Sequence, residues 1–320
     1  MAKPNPLDRR LAALYCLEDD PGSIAEKLPA FLRDKSNIVV AKAANMAVRV
    51  EASGLAAELA QVFSPMLKRA AESDPGCVAL IAIVKALVSF DAPAAEVFFA
   101  GLRHVQWEPS YGKSIEVAGE LRGLCARGLA RMGHPEALLK ILPLLADSVP
   151  ARIGAVKAIA ETGKPEAELL LRLHVIHGDS DAEVMGECFI ALLGLTPQRS
   201  LAFVAEYLSS GSDEVAEMAA LALGETRMTE AFPVLRDALQ GKISGSVRRA
   251  VLLALAMLRR DEAFDYLLGV MEEQGPDAAA VISALAIHKG DPILRGRVAE
   301  TVRRLDSARL NELFEREWRA

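Results

Sequence analysis

His174 and His177 have the spacing best suited to metal chemistry in this 320-residue chain. Three positions apart on a predicted helix, they place two imidazoles on one face, and imidazole nitrogens are common zinc ligands. A third ligand is missing, because Glu166 lies about 12 Å further along the helix axis and Asp179 follows a break at Gly178. The sequence therefore favours a surface or helix-end role for these histidines, and it predicts neither a metal nor another cofactor.

Gly112-Lys113-Ser114 resembles the end of a phosphate-binding loop, in which glycines let backbone N–H groups approach the phosphates. The earlier glycine of such a loop would stand at residue 107, which is Trp, and no predicted strand precedes it. The chain also has no Gly-x-Ser-x-Gly nucleophile elbow. No catalytic constellation is predicted, and we expect a non-enzymatic protein.

A group of basic and aromatic residues surrounds a stretch with no helical pattern, VQWEPSYGKSIE. Its members are Arg103, His104, Trp107, Tyr111 and Lys113. Basic side chains among aromatic ones can hold nucleic acid, and loop aromatics also give rigid contact area to protein partners. Two interpretations stay open for Trp107 and Tyr111: they pin the stretch to the rest of the fold, or they contact a partner.

The elements that must position these residues are repeated helices. Val215, Ala219, Ala222 and Leu223 have offsets of zero, four, seven and eight, which place them on one face of a helix. The same pattern, at a usual spacing of about 31 residues, begins at Val40, Ala79, Leu121, Ala151, Val184, Val215, Val247 and Asp277. Its third position is Ala in every copy except Gly128, which lets helix axes approach to about 8–10 Å. Such a period predicts stacked helix pairs.

One copy is displaced from this period. The copy at Leu121 begins about ten residues late, so residues 105–116 are predicted to be a loop inserted between repeats, a position that often lies on a binding edge. Within units, Gly133 to Ala137 and Gly163 to Ala167 each place a glycine after one helix, a proline at the first position of the next and a glutamate in its first turn. A kink or break is expected at Pro65.

The repeats predict one elongated solenoid over residues 1–320 rather than two ordinary domains. Residues 1–35 form an N-terminal capping repeat, because their pattern is relaxed. Regular repeats occupy residues 36–304, with the inserted loop near 105–116. Residues 305–320 form a C-terminal capping helix, with one apolar stripe and a charged back.

Composition and charge agree with small-residue helices and give no bias toward an anionic partner. The chain is 52% hydrophobic but only 5% aromatic, so its core is built from Ala, Leu, Val and Ile. Its net charge is −6, and acidic residues predominate in residues 51–239. Nucleic acid is therefore not expected as a partner, since any basic groove would have to be local.

The chain has no membrane signal and no disulfide framework. The longest apolar run, Val78 to Phe90, is interrupted by Lys85 and is too short to span a bilayer, and the N-terminus lacks an apolar signal core. The cysteines form no CxxC pair and are interpreted as reduced and structural: Cys16, Cys77, Cys125 and Cys188. Cys125 and Cys188 share the second position of the repeated pattern, which predicts small core residues. A soluble cytoplasmic protein is predicted.

Two segments resemble the Asp-x-x-Val-Arg-x-x-Ala opening of short bacterial HEAT-like repeats. Ser212 to Val215 reads SDEV, and Ser244 to Ala250 reads SGSVRRA, of which only the second keeps the Arg. The turn glycines and the small residues of the first helices are also similar, over about residues 36–304. The resemblance implies an all-α, right-handed superhelical solenoid of tandem antiparallel helix pairs, with second helices lining a concave face. It implies no single activity.

Three activities found among HEAT-like proteins were compared with these residues. Di-iron enzymes of this class use His-Glu pairs, and no histidine here is followed by Glu. HEAT-like DNA glycosylases use a basic concave face with aromatic residues, whereas the central part of this chain is acidic and has few Trp. Phycobilin lyases share the repeats, but no particular residue supports that function.

We therefore expect a non-enzymatic scaffold that binds a protein or peptide in a preformed groove. Second helices would supply polar positions to that groove, namely Arg172, Glu206 and Arg236, and the inserted loop would add an edge contact. The alternative is a groove-based enzyme or nucleic-acid binder, similar to a phycobilin lyase or a HEAT-like DNA glycosylase.

Overall fold

A computed structural model describes residues 5–19, 21–273 and 276–319. The chain divides into two compact units, Met1–Ala167 and Glu168–Ala320, which are described separately. The single elongated solenoid expected from the sequence stays a prediction.

The first unit consists of helix pairs with one inserted hairpin. Its helices and strands are α1 (Pro6–Tyr15), α2 (Pro21–Leu32), α3 (Asn37–Arg49), α4 (Ala56–Leu67), α5 (Ala70–Ser73), α6 (Val78–Ser89), α7 (Ala95–Leu102), β1 (Trp107–Ser110), β2 (Lys113–Glu116), α8 (Gly119–Arg131), α9 (Ala137–Ile141) and α10 (Val149–Glu161). First helices pack on one another in chain order, α3 on α6, α6 on α8 and α8 on α10. As expected for a proline-containing helix, α4 ends two residues after Pro65.

The second unit contains helix pairs throughout. Its helices are α11 (Pro165–His177, in this unit from Glu168 onward), α12 (Ala182–Leu195), α13 (Pro197–Ala205), α14 (Asp213–Glu225), α15 (Ala231–Gln240), α16 (Gly245–Met257), α17 (Asp261–Glu272), α18 (Ala278–Leu285), α19 (Pro292–Leu305) and α20 (Ala308–Glu317). Here α12, α14, α16, α18 and α20 pack in succession. The predicted all-α solenoid of tandem helix pairs is confirmed.

The repeated pattern forms the core between first helices. First helices also nearly touch outside the pattern: a Cβ on Gly154 of α10 would lie 2.3 Å from Gly123 Cα of α8. At Gly128, a Cβ would lie 2.6 Å from the ring of Phe98. No larger side chain fits these contacts without moving a helix.

The turns follow the predicted chemistry with one exception. Gly133 and Gly163 have φ of 63° and 61°, the left-handed conformation that ends a helix, and Pro165 begins α11 as expected. In the other turn the helix begins at Ala137, after Pro135 and Glu136, and a 3₁₀ turn follows it over Leu142–Ala146. The α-helix is short because Pro143 has no N–H to donate.

Helix α20 packs against α18 in the second unit. The Trp318 side chain, which follows α20, is 1% exposed, and its Nε1 donates to the carbonyl of Ile282 on α18 at 3.2 Å. The Phe314 ring stacks on it, with 5.6 Å between centroids. Among the described residues, no helix has the length and apolarity needed to cross a membrane.

Candidate functional site

The inserted segment is a β-hairpin, not the irregular loop that the sequence predicts. Strands β1 and β2 pair antiparallel, with Trp107 opposite Glu116 and Ser110 opposite Lys113. Tyr111 and Gly112 form the two-residue turn, with φ of 42° and 80°. Both values are positive, as a type I′ turn requires. Residues 107–116 are called the hairpin below.

Both aromatic side chains of the hairpin point to solvent. Trp107 is 63% exposed and Tyr111 is fully exposed. The interpretation that they pin the segment to the stack is therefore wrong. Ile115 and the preceding Val105 are also about half exposed, so the hairpin presents apolar area to solvent.

Buried polar contacts fix the hairpin in place at β1. The Gln106 side chain is 2% exposed, and its Nε2 donates to the carbonyl of Asp74 at 3.0 Å and to Glu108 Oε1 at 2.7 Å. The same Glu108 oxygen accepts the N–H of Gly76 at 2.7 Å. Asp74 is itself completely buried and accepts the N–H of Ala79 at the start of α6. The first strand is thus tied to the turn that begins α6.

A buried arginine fixes the other strand. Arg122 of α8 is 3% exposed and donates two hydrogen bonds to Glu116, Nη1 to Oε1 at 3.0 Å and Nη2 to Oε2 at 2.8 Å. It also donates to both oxygens of Asp147, at 2.9 and 2.6 Å, and to the carbonyl of His104 at 2.7 Å. Bidentate pairs of this kind are geometrically specific. Gln106, Glu108, Glu116, Arg122 and Asp147 are called the anchor network below.

Glu116, Arg122 and Asp147 keep their charges at neutral pH. Burial alone would raise the pKa of Glu116 and Asp147, but the hydrogen bonds from Arg122 and from backbone N–H groups outweigh it, so both pKa values fall below the ordinary range. Burial would lower the pKa of Arg122, and its bonds to Glu116 and Asp147 raise it instead. The hairpin is therefore held by ionised side chains whose charges are paired and hydrogen-bonded.

Five of the predicted binding residues lie in the hairpin or directly before it. Arg103 and Lys113 are exposed, Arg103 after α7 and Lys113 beside the turn. The His104 ring is held by Gln106, with 3.1 Å between Nε2 and Oε1. With Trp107 and Tyr111, the exposed members combine positive charge with aromatic area.

The three predicted groove residues of the second unit do not form a common site. Arg172 is engaged by its own helix and by the next repeat, donating to Glu168 at 2.9 Å and lying 4.5 Å from the Phe203 ring of α13. Arg236 donates to the adjacent Asp237 at 2.8 Å. Glu206 is exposed and begins a 3₁₀ turn after α13, outside the α-helix. No contact links the three among the residues described.

Sequence reasoning missed an apolar stripe on α11. Leu169, Leu173 and Ile176 are each about two-thirds exposed, while Leu171 and Val175 on the same helix are buried. The spacing of the exposed residues, four and then three, places them on one face. The signal was present in the sequence LLLRLHVI, which has more apolar residues than one buried stripe requires.

The buried arginine was also missed, although a signal for it exists. Arg122, Arg152 and Arg248 each directly follow the first position of the repeated pattern. Arg152 donates to the carbonyl of Asp147 at 2.7 Å, and Arg248 to Asp277 at 2.6 Å. This is the Arg of the Asp-x-x-Val-Arg opening, so three repeats keep it rather than one.

Metal and thiol chemistry find little support in the described residues. No three His, Cys, Asp or Glu side chains among them are grouped to hold a metal ion. His174 contacts Asp179, with 3.0 Å between Nε2 and Oδ2. Burial raises the pKa of Cys77 and Cys188 to about 12, so these thiols stay protonated at neutral pH. Cys125 and Cys188 are buried, as the repeated pattern predicts, and Cys16 is exposed.

Comparison with known proteins identifies the repeat type. Residues 201–286 match the family model described as HEAT repeats. No curated protein sequence matches the chain.

Solved structures similar to the chain include the following two. Human deoxyhypusine hydroxylase in complex with glycerol is 19% identical, covering 79% of this chain and 91% of its own, with a TM-score of 0.31. A crystal structure of an engineered protein is 18% identical, covering 97% of this chain and 91% of its own, with a TM-score of 0.33. Helix pairs of the same pattern continue on both sides of residues 201–286, so the predicted HEAT-like repeat architecture is confirmed.

Proposed function

We propose that this chain is a non-enzymatic scaffold that binds a protein or peptide, and that the hairpin is its contact site. The observation that carries the proposal is Tyr111, which combines a strained backbone with a fully exposed aromatic ring. A bulky residue at positive φ costs about 1–2 kcal/mol, and Asn or Gly would form the same turn with less strain. Among the described residues, nothing bonds to or stacks on this ring.

The anchor network supports a binding role because it holds the aromatic side chains rigidly. A hairpin tied at both strands by buried hydrogen bonds loses little entropy when a partner docks on it. Tyr and Trp add large contact area with few rotatable bonds. Exposed Trp107 and Tyr111 on such a base therefore suit recognition better than packing.

The stripe on α11 supports the same class of function independently. Three large aliphatic side chains on one exposed helix face are uncommon unless another protein covers them. We propose that this surface also takes part in protein contact. The alternatives, a groove-based enzyme or a nucleic-acid binder, have no comparable feature in their favour.

The test is affinity capture from a lysate of the source organism, with and without nuclease, by three versions of the full chain. They are the wild type, a double variant Trp107→Ala with Tyr111→Asn, and the control Ile293→Ser, which removes an equally exposed apolar side chain of the second unit. We expect a defined protein that survives nuclease, is retained by the control and is lost by the double variant.

Two results would contradict the proposal. Recovery of nucleic acid that disappears with nuclease would favour the nucleic-acid alternative. A protein partner retained by the double variant would remove the hairpin from the contact, provided that circular dichroism shows the variant to be folded.

A further inference from the structure

The second unit contains a cleft between α16, α18 and α20 that none of the predicted site residues lines. Its volume is about 900 Å³, within the range of ligand-binding clefts. The floor is the outer face of α18, where Ala279, Ala280 and Ser283 are too small to fill the space between the flanking helices. These residues and the facing side chains of α16 and α20 are called the α18 cleft.

The walls of the cleft are apolar near the floor and basic at the rim. Leu253 of α16 and Leu313 of α20 line it, and both are partly exposed. Arg249 of α16 and Arg309 of α20 stand at the opposite rims, and both are exposed. An occupant would therefore place apolar groups on the floor and polar groups at the edges.

The charges at the rim leave two arginines available. Of the other charged groups in the cleft, Arg248 is paired with Asp277 at 2.6 Å and Arg316 with Glu317 at 3.2 Å. Neither Arg249 nor Arg309 makes an ion pair with any residue that the structure describes, and Glu312 is the one remaining carboxylate of the lining. The rim is thus complementary to acidic groups.

We propose that the α18 cleft binds a short amphipathic helix of a partner protein, with an apolar face on the floor and acidic residues at its flanks. The chain packs its own first helices through such small contacts: a Cβ on Gly224 of α14 would lie 2.9 Å from Ala254 Cβ of α16. Small residues let helix axes approach closely, and apolar anchors at helical spacing then fill the groove.

The arginines specify the acidic flanks. A guanidinium binds carboxylates with two parallel hydrogen bonds, which fixes orientation as well as charge. The floor helix has 8 residues, so it matches an occupant of about two turns, roughly 12 Å long. This site is separate from the hairpin in sequence and in the residues that its test changes.

The experiment is selection of a displayed random peptide library on the full wild-type chain, with depletion on the full Ala280→Trp chain, whose floor is filled. We expect enriched peptides with apolar residues at helical spacing and flanking Asp or Glu. In fluorescence anisotropy, a labelled enriched peptide should bind at least tenfold more weakly to Arg249→Glu with Arg309→Glu. The control, Arg295→Glu with Arg303→Glu, makes the same charge change at exposed positions on α19 and should bind normally.

Several outcomes would overturn the proposal. One is enrichment of peptides that bind the Ala280→Trp chain as tightly as the wild type. Another is peptide binding that does not change in the Arg249→Glu, Arg309→Glu variant. Because that variant alters only exposed side chains, it also tests the proposal if Ala280→Trp fails to fold. A third is no peptide enrichment together with saturable binding of dodecanoate that Arg249→Glu abolishes, which would assign the cleft to a small amphipathic acid. The Tyr111→Asn chain should bind the enriched peptides normally, so failure here is distinguishable from failure of the hairpin contact.

Discussion

Tyr111 lowers the stability of the turn through its positive φ but supplies the exposed ring of the proposed contact site. Replacing it with Asn should stabilise the chain by about 1 kcal/mol, because Asn tolerates positive φ better than an aromatic residue does. The measurement is the midpoint of urea unfolding for the wild type and Tyr111→Asn. Tyr111→Phe is the matched control, since it keeps the strain and should leave stability unchanged. A loss of stability in Tyr111→Asn would show that the ring makes a stabilising contact.

Arg122 should be the most costly charged residue to remove from the first unit. Arg122→Met leaves the carboxylates of Glu116 and Asp147 without their buried partner, and breaking such a pair costs about 3–5 kcal/mol. Arg127→Met on the same helix removes a partly exposed pair with Glu161, which is worth about 0–1 kcal/mol. Denaturant unfolding of the two variants gives the comparison. Equal losses would mean that the anchor network does not stabilise the fold.

At the scale of the element, the hairpin should be released by acid. Since the folded-state pKa values of Glu116 and Asp147 lie below their ordinary values of 4.5 and 3.8, their stabilisation is present above those values and is lost as the pH falls through the folded pKa. We expect limited proteolysis by pepsin to cut within residues 105–117 as the pH drops below about 4.

Glu116→Gln provides the control for this acid response. The amide keeps the shape of the side chain but cannot titrate, so the variant should be less stable at neutral pH and its stability should fall less on acidification. If wild type and Glu116→Gln lose stability in parallel between about pH 6 and pH 3, another group controls the acid response.

For the whole molecule, the fold could be predicted because its signals are local. The helix pattern, the glycine stops at Gly133 and Gly163, and the capping stripe that ends at Trp318 each depend on a few neighbouring residues. The prediction fails where the local structure depends on contacts with residues distant in the sequence. The hairpin looked like a loop because Tyr111 is not a usual turn residue, and because the partners of its strands lie in the turn before α6 and on α8.

The candidate sites were less predictable for the same physical reason. Trp107 and Tyr111 could be selected by residue type, but whether they are buried or exposed depends on the anchor network, whose members come from residues 106–147. Arg172 was selected as a polar position of the groove, whereas it donates to Glu168 on its own helix. The α18 cleft depends on the gap between three helices, which no single segment reveals.

The small third position of the repeated pattern makes a prediction that applies to both units. In the first, Gly128→Ala places a Cβ 2.6 Å from the ring of Phe98, and in the second, Ala222→Leu adds bulk at a buried position. Each should cost roughly 1–3 kcal/mol in denaturant unfolding, because the helices must separate to admit the new atoms.

The matched controls are substitutions on helices at positions outside the repeated pattern. A Cβ on Gly296 of α19 contacts nothing within 4 Å, so Gly296→Ala should stabilise by up to about 1 kcal/mol through helix propensity. Glu217→Ala on α14 removes a side chain outside the repeated pattern and should have little effect. Similar small effects at all four positions would mean that close helix packing does not determine the pattern. A cost confined to Gly128 and Ala222 would establish that the small third position of the repeated pattern stabilises the packing within each unit.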